Sequence, residues 1–144
     1  MNSSFQNTRG LVPEYPRLVS VSETVLKERQ GNILNLVDQA IMLRGPQRTH
    51  MMESIEGELM VHSELERSIF EPLNVRSPVG RMIRNQIQAL DELILEATHL
   101  KRNQYLWTKN VKRFRRKLAK YFEGEDRGLL PYVSAWDKSR SRIA

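Results

Sequence analysis

The sequence predicts an all-α protein, an up-down-up-down four-helix bundle built from a helical hairpin that occurs twice. Three observations predict it. Apolar residues recur at steps of three and four along four long stretches, the period of a helix with one buried face. Only seven Gly and six Pro interrupt 144 residues, and they fall mostly between those stretches. The second and fourth stretches align with each other, as do the first and third, which makes a hairpin the repeating unit.

Taken in order, residues 1–19 read as an irregular N-terminal arm, with Pro13 and Pro16 as breakers. Ser20 and Glu23 have capping-box spacing and Gly45-Pro46 supplies a stop, so a first helix is expected over about 21–44. Thr49 can cap a second helix that Pro72 ends. Ser77-Pro78 is an N-cap followed by proline at the first helical position, where its missing N–H would be unpaired anyway. The third helix then runs to about 100. Asn103 is the candidate cap of a fourth helix reaching about Gly128, before Pro131. The bundle thus covers 20–133, and 134–144, with Lys138, Arg140 and Arg142, forms a basic C-terminal tail. Trp107 and Trp136 are candidates to seal the bundle ends, and Met51, Met52 and Met60 to fill the core.

Composition narrows the chemistry. Hydrophobic residues at 40% and charged residues at 28% are globular values, and the length suits one core. With no Cys, disulfides, thiolate metal sites, iron–sulfur clusters and cysteine nucleophiles are excluded. His50, His62 and His99 are the whole imidazole supply, too scattered for a Ser/His/Asp triad, and no glycine-rich phosphate loop occurs. Residues 1–20 lack a signal-like apolar stretch, and nothing reaches the roughly 18 to 20 apolar residues of a membrane span. A cytoplasmic protein without a transmembrane segment is expected.

The buried stripes are polar at matching heights. They comprise Leu26, Gln30, Ile33, Val37 and Ala40 in the first helix, and Met52, Ile55, Leu59, His62, Glu66 and Ile69 in the second. The third carries Ile83, Ile87, Leu90, Ile94 and Ala97, and the fourth Val111, Phe114, Leu118, Tyr121 and Glu125. A shift of 59 superposes His62, Glu66, Phe70 and Pro72 on Tyr121, Glu125, Leu129 and Pro131, and a shift of 57 superposes Gln30 on Ile87.

The string Leu26-Lys27-x-x-Gln30, then His62-x-x-x-Glu66 with Ile69-Phe70-x-Pro72, then Tyr121-x-x-x-Glu125 with Leu129-Leu130, resembles the hemerythrin-like, HHE cation-binding family over roughly 22–133. The resemblance implies a four-helix bundle with a di-iron centre in its core, serving oxygen binding, oxygen or iron sensing, or related redox chemistry. His62, Glu66 and Glu125 stand at ligand positions of the family pattern. Gln30, Ile87 and Tyr121 stand where it has His, and neither His50 nor His99 lies near enough to replace them.

Two readings follow. In one, the site has lapsed, no cofactor is expected, and the domain is non-catalytic, acting on an unidentified protein partner as a binding, regulatory or structural module. In the other, His62, Glu66 and Glu125, with Tyr121, hold iron or a single divalent metal in a sensing protein. A third comes from charge. Nine bases and no acid lie between positions 101 and 120, leaving −3 for the rest of the +6 chain. Lys109, Lys112, Arg113, Arg116, Lys117 and Lys120 could give weak nucleic-acid or anionic-surface contact, or form a solvated face.

Overall fold

A computed structural model describes residues 15–70, 78–131 and 134–135. Its regular structure is entirely helical: α1 (Tyr15–Ile41), α2 (Pro46–Phe70), α3 (Pro78–Arg102) and α4 (Trp107–Gly124), the last running on into a π-helical turn, Glu125–Leu129.

Local chemistry explains where the boundaries depart from expectation. α1 starts at Tyr15, so positions 15–19 are helix rather than arm, while 1–14 lie outside the described residues. Pro16 sits in the first turn, where a missing N–H costs nothing, and Ser20 falls inside the helix instead of capping it. The helix ends at Ile41 rather than 44, as the Met42 and Leu43 N–H groups tighten onto Gln39 and Ala40 carbonyls at 3.2 Å. Gly45 adopts φ 59°, a left-handed conformation that favours glycine, and Pro46 takes the first position of α2. Thr49 is therefore not a cap; its Oγ1 accepts a bond from Gln104 Nε2 at 2.8 Å. Asn103 does not cap α4 either. Its Oδ1 accepts the Tyr105 N–H at 3.1 Å in an Asx turn, and the helix begins four residues on, after Leu106 at φ 51°.

Each helix packs against two neighbours, closing a four-helix bundle in the ring order α1, α2, α3, α4. α1 and α4 run antiparallel, with Ala40 beside Trp107, Asp38 beside Arg115 and Gln30 beside Glu125. α2 and α3 do likewise, with Glu56 beside Lys101 and Arg67 beside Asp91. At one end Trp107 is buried, donates Nε1–H to the Ala40 carbonyl at 2.8 Å and carries the Arg48 guanidinium over its ring. Trp136 and most of the basic tail lie outside the described residues; Ser134 Oγ reaches Glu23 Oε2 at 3.5 Å.

The predicted stripes of α1 and α4 are buried throughout. In α2, Phe70 is buried and Ile69 only half-buried. α3 is turned slightly from the expected face: Ile83, Leu90 and Ala97 are buried with Leu93 and Leu100, while Ile87 and Ile94 are half-buried. Met52 is core, Met51 half-buried and Met60 exposed. The apolar interior divides in two. A large cluster runs from Trp107 and Ala40 to Leu59, Leu118 and Phe122, and a smaller one joins Leu26, Phe70, Ile83, Leu129 and Leu130. Among the described residues the buried polar side chains are Gln30, His62, Ser63, Glu66 and Glu125.

Candidate metal centre

The i, i+4 spacing of His62 and Glu66 stacks them on the inner face of α2, one turn apart. Glu125 comes from the far end of the chain, as the first residue of the π-helical turn. All three side chains are fully buried, and each offers a ligand atom within 4.8 Å of the others. His62 Nε2 lies 3.0 Å from Glu125 Oε1 and 3.5 Å from Glu66 Oε2. Ligands bound to one ion at roughly 2.0 to 2.2 Å stand about 2.8 to 3.6 Å apart, so these two separations already suit shared coordination.

The other pattern positions play different parts. Tyr121 donates its hydroxyl to Glu66 Oε2 at 2.5 Å. Burial pushes its pKa well above the usual tyrosine value, Gln86 pulls it back, and the Asp91 charge pushes it up again. Gln30 Nε2 donates to Glu125 Oε1 at 2.6 Å and to Asp126 Oδ1 at 2.9 Å. Ile87 packs half-buried against the smaller apolar cluster and brings no donor. Phe122 sets the edge of its ring against His62, centroids 5.3 Å apart.

These bonds leave one atom over on every member of the trio. His62 Nδ1, Glu66 Oε1 and Glu125 Oε2 are buried without a hydrogen-bond partner. Two acidic side chains and an imidazole thus share one buried layer, and among the described residues no Lys or Arg bonds to them. Polar atoms left over in such a layer are satisfied by a proton, a water or a cation. Its three strong donors fit one ion. They do not fit two, because the facing side of α3 supplies Ile87 and an amide in place of imidazole.

Sequence reasoning missed Gln86, Asp126 and the π-helical turn. Gln86 was hidden by the small rotation of α3, which a strict shift of 57 cannot register. The turn had a signal in Gly124 and Gly128, poor helix formers that bracket Glu125. π-turns inside helices often coincide with functional positions, and here one carries Glu125 and Asp126 to the same glutamine.

The remaining candidates lie elsewhere. His50 and His99 are exposed, far from the trio in α2 and α3 respectively. Lys109, Lys112, Arg113, Arg116, Lys117 and Lys120 are all exposed on α4. Lys117 pairs with Glu96 of α3 at 3.2 Å, and Arg113 bonds Asn110 in its own helix. Arg115, half-buried, reaches Asp38 of α1 at 2.6 Å, a bond that raises its pKa against the opposing effect of burial. No helix among the described residues is long and apolar enough to cross a membrane. No family model, curated protein or solved structure matches the chain.

Proposed function

We propose that the chain is a hemerythrin-like, non-catalytic module that holds one divalent transition-metal ion through His62 Nε2, Glu66 and Glu125, and that it serves metal, oxygen or redox sensing. One observation carries the reading: the trio is fully buried, yet each member keeps an unpartnered polar atom. A +2 ion would neutralise the two carboxylates, which the hydrogen bonds from Gln30 and Tyr121 only partly compensate. Complete burial of the donors suits a structural or sensing ion better than substrate turnover. A di-iron centre is not part of the proposal, since the described residues bring no further His, Asp or Glu cluster for a second ion.

A metal-free core, acting as a binding module for a protein partner, is the second reading. It is favoured by the bonds that Gln30 and Tyr121 already make to the two carboxylates. Reconstitution of chelated protein with Zn, Mn or Fe(II), followed by dialysis and elemental analysis, separates the two. One ion per chain, lost in Glu66→Ala, supports the sensing module. Two irons per chain would overturn the single-ion reading, and no retained ion would leave the metal-free module in its place.

A further inference from the structure

The route by which an ion could reach the trio follows from what surrounds it. Along the bundle axis the polar layer lies, among the described residues, between Leu59, Leu118 and Phe122 of the large apolar cluster and Phe70, Ile83 and Leu129 of the small one. A hydrated cation cannot cross either without leaving its water for hydrocarbon. Sideways the situation differs. A groove of about 450 Å³ opens between α1 and the end of α4, with Gly31, Ala119 and Asp126 among its walls and Gln30 and Phe122 at its inner side. Phe122 is also the ring against His62, and Gln30 bonds Glu125, so one layer of side chains separates the groove from the trio.

Gln30 is built like a bolt across that layer. Its Nε2 holds the buried Glu125 Oε1 on one side and the Asp126 Oδ1 on the groove side, while the residue is only 5% exposed. The oxygen it covers is the same one that faces His62 Nε2. Releasing the amide would uncover a carboxylate of the trio and a second carboxylate just outside it, giving a cation an outer and an inner oxygen ligand in succession. The walls next to Gln30 are small: a Cβ added at Gly31 would meet nothing within 4 Å.

We infer that the α1–α4 groove is the path along which a divalent cation enters and leaves, with Asp126 as its outer contact and Gln30 as the gate. The inference rests on the single-ion reading above. Filling the groove with a side chain that bonds none of the ligands slows entry and release alike and leaves the dissociation constant alone, which distinguishes a path from a merely structural groove.

The test uses Co(II) as probe, followed by its visible absorption in stopped flow, with release measured by chelator competition. Gly31→Trp fills the groove from an exposed helical position, where replacing glycine favours the helix. It is expected to slow association and release together by tenfold or more, with the dissociation constant unchanged within about twofold. Gln30→Ala, which removes the donor to both carboxylates without adding a charge, is expected to speed association at least fivefold. If Co(II) binds and Gly31→Trp leaves both rates as in the parent, the groove is not the route and the proposal fails while the metal reading stands. If the parent takes up no Co(II), both fail together. A thermal melt of each variant confirms that it is folded when the rates are read.

Discussion

His62 Nε2 and Glu125 Oε1 lie 3.0 Å apart in the centre of the bundle, although 63 residues separate them in the chain. The same carboxylate oxygen accepts the Gln30 amide, so three helices meet at one atom. Holding two buried carboxylates in this layer is costly, and the variants below measure how that cost is met.

Glu125→Gln removes one charge while keeping an oxygen for Gln30 and His62. In rigorously chelated protein at pH 8 the melting temperature is expected to stay level or rise by a few degrees, because one unneutralised buried charge is gone. With metal present, the gain in melting temperature that the ion confers on the parent should shrink sharply. Loss of stability in the chelated variant would mean that the carboxylate is fully satisfied by its partners.

Tyr121→Phe deletes the donor to Glu66 and is expected to cost about 1 to 3 kcal/mol at neutral pH, read from urea unfolding. The pH dependence carries the sharper signature. The folded protein keeps the Tyr121 proton where the unfolded chain, with an ordinary value of 10.0, gives it up. The unfolded state therefore binds fewer protons above pH 10, and the parent loses stability as pH rises through that point. The variant lacks this contribution, so the gap between the two should narrow above pH 10. A constant gap would show that the hydroxyl is not held protonated.

Glu56 links α2 to α3 by accepting bonds from Thr98 Oγ1 and, at 3.0 Å, from Lys101 Nζ. The Thr98 bond, with Lys101, holds its pKa below the ordinary 4.5 against the opposing effect of burial. A depressed carboxyl contributes stability above the unfolded value and loses it as pH falls through the folded one. Glu56→Gln should thus cost about 1 kcal/mol at pH 7 and converge with the parent below pH 4.5, as followed by circular dichroism. A difference that persists at pH 2 would assign the effect to packing.

Leu106 occupies a left-handed conformation at φ 51° and is 51% exposed, so its side chain returns little for the backbone strain. Leu106→Gly is expected to stabilise the protein by about 1 kcal/mol, since glycine adopts that region freely. A destabilised variant in chemical denaturation would reveal a packing role for the leucine.

The exposed bases of α4 invite a salt titration. A short duplex DNA should bind weakly at about 20 mM salt and release near physiological ionic strength, with no preference among sequences, because phosphate neutralisation alone drives the contact. Sequence-dependent retention at about 150 mM, measured by fluorescence anisotropy, would make α4 a recognition element instead of a solvated face.

By itself the sequence determined the four helices and most of the core. The reason is that 3.6-residue periodicity is a local property: the steps from Leu26 to Ala40 and from Val111 to Glu125 fix a buried face whatever the neighbours do. It also placed His62, Glu66, Tyr121 and Glu125 on inward faces, since an i, i+4 pair shares a side of any helix. Helix starts were less legible, because a cap such as Thr49 or Ser20 is worth only about 1 kcal/mol, and the helices instead open earlier, around Pro46 and Pro16. Only the tertiary structure decided the rest. The rotation of α3 that brings in Gln86 for Ile87, the π-helical turn that presents Asp126 beside Glu125, and the single amide of Gln30 that spans both depend on how ridges of different helices settle against each other. That packing is set by side chains far apart in the chain, and no spacing within one helix encodes it.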